Sequence, residues 1–215
     1  MSTLPNITEE MLAALRDALA KRISPKRFRH TLGVEREIER LGQLYLPTSV
    51  LSLRAAALLH DLTKELSTEE QIALCELHGI PITNVDCISP KTFHAKTACP
   101  VIVHEFPEYA TDEILDAVRK HTTGAAEMSI FAKLLYLADY IEDTRTFPDC
   151  ITLRGLFWDG VKNTDGSEEV LLDLLDKTLL ISFDMTISCL IRENSAISKE
   201  TVEARNALVE KYTSI

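Results

Sequence analysis

Helix start signals occur along the whole chain, and they restrict the folds that this sequence can adopt. Serine and threonine side chains accept a hydrogen bond from a backbone N–H in the first turn, so they are favoured immediately before helices. No stretch shows the sustained alternation of apolar and polar residues that is typical of strands. The sequence therefore predicts an all-α fold, with helices starting after Thr8, Ser24, Ser67, Thr111, Ser129, Ser167 and Ser198.

Two segments between the predicted helices are expected to be irregular. Residues 79–90 and the segment from Asp149 to Gly166 lack a clear helical pattern, and both are expected to be loops. The helix after Ser129 is expected to run through Asp143. No repeat, low-complexity segment or linker divides the sequence, so we predict one domain over residues 1–215.

The charge balance restricts the classes of partner. The chain has 23 Lys and Arg residues against 33 Asp and Glu residues, which gives a formal net charge of −10. This charge repels nucleic acids and anionic membrane surfaces, so neither is expected as a partner. A small anionic ligand stays compatible with the composition because a bound cation can dominate the local field.

Three sequence features favour a cytoplasmic protein. The five cysteines are odd in number and never spaced as CxxC, which argues against a disulfide framework and a thiolate zinc site. The N-terminal sequence MSTLPNITEEML lacks the basic start and apolar run of a signal peptide. The most apolar stretch, Val170–Ile191, is predicted to be an amphipathic helix rather than a membrane span, because one side of its helical wheel carries Asp173, Asp176, Lys177 and Asp184.

The most informative polar residues are His60 and Asp61, at the end of the apolar run in AALLHDLTK. Adjacent helical side chains diverge by about 100°, so these two converge on one target only if it lies between them, as a metal ion does. Taken alone, the pair is compatible with an ordinary helix end that faces water. The other polar residues in apolar surroundings favour the metal.

Two further polar residues lie within apolar helical segments. His30 follows Phe28 in RFRHTLGV, and Asp139 interrupts LLYLADYIED. A buried ring without a partner, or a buried unpaired carboxylate, is costly, so each residue needs a partner. Together with His60 and Asp61 they form a nitrogen and oxygen ligand set that suits a divalent transition metal.

Five segments of the chain occur in an order that is similar to a known family. They are HTLGV, AALLHDLTKEL, FHAKTA, VRKHTTG and LLYLADYIEDTR, between about Arg27 and Arg145. They resemble the successive motifs of the HD-domain phosphohydrolase superfamily, in particular its YqeK-type branch, the symmetrical bis(5′-nucleosyl)-tetraphosphatases. The resemblance implies an HD-domain helical bundle, with a motif core over about residues 24–146 on which the C-terminal helices pack. It also implies hydrolysis of diadenosine tetraphosphate into two molecules of ADP.

The resemblance further implies a site with two divalent transition-metal ions, with iron as the first expectation and manganese, nickel or zinc as alternatives. Two cations could clamp phosphoryl oxygens and lower the pKa of a bound water, so that hydroxide forms at neutral pH. Asp61 matches the residue that bridges the two ions. The full set of metal ligands that the resemblance implies is His30, His60, Asp61, His94, His121 and Asp139.

The resemblance also assigns residues to the substrate. Asp61 and Lys64, in HDLTK, are the expected catalytic residues. Glu142, one turn after Asp139, is expected to orient a ligand or to pair with a basic residue. His78 and His104 match no motif. Arg27 is added because it lies one turn before His30 and so shares that helix face. The expected substrate contacts are therefore Arg27, Lys64, Thr122, Thr123, Gly124 and Arg145.

Other functions remain open at this point. One is an HD-type nucleotidase or phosphodiesterase that acts on another nucleotide. Another is a regulator that binds a nucleotide or a metal without turnover. The C-terminal third carries no motif; it is expected to contribute helix packing and could contribute to a homodimer. In the segment from Asp149 to Gly166, the aromatic residues Phe157 and Trp158 are expected to pack on the core.

Overall fold

The helices start where the sequence signals predict. The computed structural model describes residues 6–213, and this part of the chain contains α-helices and short 3-10 helices but no strand. The prediction of an all-α fold is confirmed. The prediction that no signal peptide is present rests partly on residues 1–5, which lie outside the described residues. The α-helices are α1 Glu9–Arg22, α2 Pro25–Tyr45, α3 Val50–Leu59, α4 Thr68–Leu77, α5 Asn84–Ile88, α6 Phe93–Glu105, α7 Asp112–Lys120, α8 Ile130–Ile141, α9 Pro148–Lys162, α10 Glu168–Arg192 and α11 Lys199–Thr213.

Most of the predicted cap residues form the expected hydrogen bond. Ser67 and Glu70 form a complete capping box, in which each side chain accepts from the other residue's backbone N–H. Ser167 precedes α10 but its side chain forms no cap hydrogen bond. Side chains that accept a backbone N–H from three residues later, at 3.1–3.3 Å, are those of Thr8, Ser24, Thr111, Ser129 and Ser198.

Both predicted loops were wrong in part. The segment from Asp149 to Gly166 is largely the helix α9, which begins with Pro148 at its first position, where the missing N–H costs nothing. This helix is stabilised by packing, since Phe157 is completely buried in the core. Residues 79–90 contain the short helix α5. The helix α8 ends at Ile141 rather than Asp143, because the backbone of Glu142 leaves the helical conformation.

Helix α3 lies at the centre of the bundle. It packs against α1, α2, α7 and α8, and its residues 53–59 are all buried. Helix α6 packs against α7, and α4 packs against α6. Since His60 and Asp61 directly follow α3, the chain delivers both residues into the interior rather than to the surface.

The C-terminal helices pack on this bundle and on one another. Helix α10 contacts α2, α8, α9 and α11, and the core is continuous from Ile7 to Leu208. The helical wheel placed Asp176 on the polar side of α10, which suggested that it is exposed. This prediction was wrong, because Asp176 is buried and accepts hydrogen bonds from Lys133 at 2.6 Å and Lys211 at 2.7 Å. None of the helices within residues 6–213 is long and apolar enough to cross a membrane.

Candidate metal centre

The HD pair is held at the C-terminal end of the buried helix α3. His60 is 0% exposed and Asp61 is 4% exposed, so neither faces water. The His60 Nδ1–H donates to the carbonyl of Ala57 at 2.6 Å, which fixes the ring orientation. The burial excludes the interpretation of this pair as an ordinary solvent-facing helix end.

Four histidine rings share one pattern of hydrogen bonding. In each ring, Nδ1 lies against a carbonyl or carboxylate oxygen and donates to it, so Nε2 is the nitrogen left to bind a metal. This pattern is typical of metal-binding histidines, in which the second nitrogen orients the ring. The Nδ1 partners are Glu142 Oε1 at 3.0 Å for His30, Ala57 O at 2.6 Å for His60, Lys91 O at 2.8 Å for His94 and Val118 O at 2.6 Å for His121.

The first set of ligand atoms surrounds one oxygen of Asp61 and one of Asp139. His30 Nε2 lies 3.0 Å from Asp139 Oδ1 and 3.5 Å from Asp61 Oδ2. His60 Nε2 lies 3.4 Å from Asp61 Oδ2 and 3.7 Å from Asp139 Oδ1. These side chains come from α2, from the end of α3 and from α8, so the packing of three helices brings them together.

The second set faces the other oxygen of Asp61. Asp61 Oδ1 lies 3.2 Å from His94 Nε2 and 3.7 Å from His121 Nε2. The two Nε2 atoms are 3.0 Å apart, and the hydroxyl oxygen of Thr122 lies 3.1 Å from each of them. Asp61 therefore presents one carboxylate oxygen to each set of rings.

The donor atoms of this cluster fit divalent cations. The Nε2 atoms of His30 and His60 are buried and have no hydrogen-bond partner. Nitrogen lone pairs that face carboxylate oxygens repel each other unless a cation or a proton lies between them. Ligand atoms that could share an ion, all within 4.8 Å of one another, occur in the groups His30, His60 and Asp139, and His60, Asp61 and His121.

The electrostatics of the two sets differ. Burial lowers the pKa of His60, but the charge of Asp61 and the contacts with Asp139 outweigh it and raise this pKa to about 10. His30 shows the same balance, and its pKa is raised. In the second set burial prevails, and it lowers the pKa of His94 to about 3 and also lowers that of His121. Without a cation, protons therefore compensate the carboxylates in the first set, whereas the second set offers neutral rings.

Glu142 orients His30, as the sequence suggested. Its side chain is fully buried and accepts from His30 Nδ1–H, from the Thr144 backbone N–H at 2.6 Å and from the Thr144 hydroxyl at 2.8 Å. Gly33 makes room for this carboxylate, since a Cβ at position 33 would lie 2.2 Å from Glu142 Oε2. The role of Gly33 was not predicted from the sequence, although this residue lies in the HTLGV motif.

Three basic side chains border the cluster. Arg27 Nη1 donates to Asp61 Oδ2 at 2.6 Å, and Arg145 Nη2 donates to Asp139 Oδ1 at 2.6 Å. Lys64 Nζ lies 3.0–3.1 Å from the ring nitrogens of His94. Burial lowers the pKa of Lys64 despite the nearby charge of Asp61. The three predicted bases are thus assembled at the cluster, with Arg145 beside the first set and Lys64 beside the second.

Two predicted substrate contacts do not reach the cluster. The hydroxyl of Thr123 donates to the carbonyl of Gly124, and the Gly124 N–H donates to Lys120 O at 2.8 Å. A Cβ at position 124 would lie 2.6 Å from the Phe183 ring, so this turn packs against the C-terminal helices. Within the predicted trio only Thr122 lies beside the histidines. His78 and His104 are exposed, away from the cluster.

Arg154 is a further residue without a sequence signal. Its guanidinium donates to the carbonyl of Ile141 at 2.5 Å, to that of Glu142, and to that of Arg145 at 3.0 Å. It therefore holds the segment that carries both Glu142 and Arg145. No motif identifies it because it lies in α9, where the sequence predicted a loop.

Comparisons with known proteins agree on one family. The model of the HD domain family matches residues 27–144. The symmetrical bis(5′-nucleosyl)-tetraphosphatase of Bacillus subtilis (strain 168) is 29% identical over 201 residues, which are 94% of this chain and 97% of that protein. The protein with the same name from Staphylococcus aureus is 28% identical over 87% of this chain and 90% of its own length. A solved structure from Clostridium acetobutylicum, described as a predicted HD superfamily hydrolase involved in NAD metabolism, is 30% identical, with a TM-score of 0.79 over 93% of this chain and 97% of that one.

Proposed function

The chain belongs to the HD domain family, and we propose that it is a metal-dependent hydrolase that cleaves diadenosine tetraphosphate symmetrically into two molecules of ADP. Two observations from different sources support the proposal. Relatives that cover most of this chain are named for this activity. The buried cluster also has the nitrogen and oxygen donors that divalent transition metals prefer.

The observation that carries the proposal is the position of Asp61 between two sets of histidine rings. One of its oxygens faces His30 and His60, and the other faces His94 and His121. A carboxylate in this position can share two cations. We assign His30, His60, Asp61 and Asp139 to one ion, and Asp61, His94 and His121 to the other, with iron as the first candidate metal.

Two such cations would polarise phosphoryl oxygens and supply hydroxide at neutral pH. The protein's own contribution is to hold the rings in one tautomer and to exclude bulk water. The Nδ1 hydrogen bonds of the four rings achieve the first, since they leave every Nε2 directed at a carboxylate oxygen. The burial of His60 and Asp61 contributes to the second.

In this proposal, the positions of the basic residues explain why the substrate is cleaved at its centre. Arg145 lies beside the first set of rings and Lys64 beside the second. Between them they would bind the two ends of a chain of four phosphates, with its centre at the cluster. Arg27 and Thr122 would contact the intervening phosphates. Attack near the centre releases two equal halves, whereas attack near one end would release ATP and AMP.

We further propose that residues 1–215 act as one domain and that the reaction takes place in the cytoplasm. The continuous core that joins the motif-bearing helices to α10 and α11 supports the first point. The five unpaired cysteines agree with the second.

The deciding experiment is product analysis. Purified protein would be incubated with diadenosine tetraphosphate, with and without a chelator, and early products would be separated by chromatography. We expect ADP alone, loss of activity with the chelator, and recovery with iron or manganese. NAD and mononucleotides complete the substrate panel, because the Clostridium acetobutylicum relative is described as involved in NAD metabolism. Equal amounts of ATP and AMP, or full activity of metal-free protein, would contradict the proposal.

A further inference from the structure

A cleft of about 210 Å³ opens directly beside the metal centre. Its walls come from the turn before α4 and the 3-10 turn before α6, and His94 belongs both to the cleft and to the second set of rings. Pockets that enclose a complete drug-sized ligand have volumes of about 300–1,000 Å³. A cleft of this size can therefore take only one end of a dinucleotide.

The charge of the cleft has one sign. Lys64 and Lys91 line it, and no carboxylate residue does. Among the described residues, neither ammonium group has a carboxylate oxygen within ion-pair distance. This is unusual in a chain with ten more acidic than basic residues. Clefts lined by charges of one sign concentrate ligands of the opposite sign, so this cleft favours an anion.

Beside the charged residues, the cleft is lined by two apolar residues and by one amide whose hydrogen bonds lie within the protein. The apolar residues are Leu66 and Pro90, which are both half-buried. The Gln71 Nε2–H donates to Thr63 O at 2.6 Å and its Oε1 accepts from the Thr97 hydroxyl. The side-chain amide of Gln71 therefore has its main hydrogen bonds within the protein, and the hydroxyl of Thr68 is the polar group left for a ligand.

We propose that this cleft is the subsite for the outer end of one nucleoside diphosphate half of the substrate. The phosphate lies at Lys64 and Lys91, and the nucleoside lies between Leu66 and Pro90. This inference rests on the proposed function, and it adds where one half of the substrate binds and how selectively the base is recognised.

Because the side-chain amide of Gln71 already has hydrogen-bond partners within the protein, we expect weak selectivity between bases. Strong discrimination between bases needs several buried polar groups that match the edge of one base. Lys64 and Lys91 bind the phosphate in this proposal, which leaves the hydroxyl of Thr68 among the lining side chains for the base. One neutral hydrogen bond changes affinity by about tenfold at most. We therefore expect the affinities for ADP, GDP, CDP and UDP to lie within about tenfold of one another.

The experiment measures binding of ADP and of pyrophosphate to the purified protein by calorimetry. Leu66→Trp fills the cleft and is expected to weaken ADP binding by at least about tenfold, while pyrophosphate, which has no nucleoside, binds as before. Leu77→Trp is the matched control on the same stretch of chain, because Leu77 is 75% exposed and lies outside the cleft. It is expected to leave both affinities unchanged.

Lys91→Gln tests whether the positive charge of Lys91 contributes to phosphate binding. It remains informative if Leu66→Trp does not fold. Lys91 is exposed, so its replacement does not disturb the core, and we expect weaker binding of both ADP and pyrophosphate. Binding of ADP by folded Leu66→Trp with wild-type affinity would overturn the subsite, as would unchanged ADP binding by Lys91→Gln. A wild-type protein that does not cleave diadenosine tetraphosphate, while Leu66→Trp still reduces ADP binding, would overturn the proposed function and leave the subsite intact.

Discussion

Replacing Gly33 by alanine tests whether the metal centre depends on the buried Glu142. Alanine in a helix interior is normally about 1 kcal/mol more favourable than glycine. In α2, however, the new Cβ would lie 2.2 Å from Glu142 Oε2 and 3.0 Å from its Cδ. The carboxylate is fully buried, so it cannot move without weakening its hydrogen bonds to His30 and Thr144.

The expected cost follows from these contacts. Each hydrogen bond to a charged group contributes about 1.5–3 kcal/mol, and overpacking adds about 1–3 kcal/mol. With one such hydrogen bond lost, and after the gain of about 1 kcal/mol in helix propensity, we expect Gly33→Ala to lower the free energy of unfolding by about 1.5–5 kcal/mol. For a chain of this length each kcal/mol corresponds to about 2–4 °C in Tm. We also expect metal affinity to fall by about 10–100-fold, because His30 loses its orienting partner.

Thermal melts and metal titration measure both effects, and the chain offers a matched control. Gly155 lies in α9, is exposed, and has open space where its Cβ would be. Gly155→Ala is therefore expected to stabilise the protein by about 0.5–1 kcal/mol. In a Glu142→Ala background the clash is absent, so there Gly33→Ala should become stabilising as well. If Gly33→Ala stabilises the wild-type protein as much as Gly155→Ala does, the inferred contact is wrong.

The remaining predictions concern the metal ligands and the bases. Asp61→Ala should abolish turnover and reduce bound metal at both sites. His94→Ala should leave one ion bound and lower the activity sharply. Elemental analysis that finds two ions in His94→Ala would contradict the second site. Because the pKa of His60 is raised to about 10, its ring is protonated at pH 7.5 without metal, so metal uptake should release protons and weaken as the pH falls. Calorimetry in buffers of different ionisation enthalpy measures this release, and heats that do not depend on the buffer would refute it. Lys64→Ala should lower kcat/KM by about 10–100-fold through loss of a charge-assisted contact of about 1.5–3 kcal/mol, whereas Lys162→Ala, on the exposed face of α9, should leave kcat/KM unchanged.

Part of this structure can be predicted from the sequence because the relevant interactions are local. A cap hydrogen bond joins residues three positions apart, so Ser24 and Ser129 could be identified as helix starts without any knowledge of the packing. The apolar run before His60 also placed this residue at the edge of the core, but the sequence left open whether it faces water or is buried. The all-α fold and the choice of candidate ligands were therefore accessible from the sequence.

Other features were decided by the tertiary structure. Helix α9 has weak local signals and is stabilised by the burial of Phe157, so its existence depended on a partner surface. The turn at Gly124 follows His121 closely in sequence, yet Phe183 holds it against the C-terminal helices.

The geometry of the metal centre is the clearest example of this difference. His30 and Glu142 are separated by 112 residues, and neither indicates the other in the sequence. Which oxygen of Asp61 faces which ring depends on how α2, α3, α6, α7 and α8 pack together, and so does the close approach of Glu142 to Gly33. Candidate metal-binding residues can be recognised from the sequence, because the ability to bind a metal is a property of each side chain. Packing decided how they are arranged, because distances between remote residues are set by the core that the helices share.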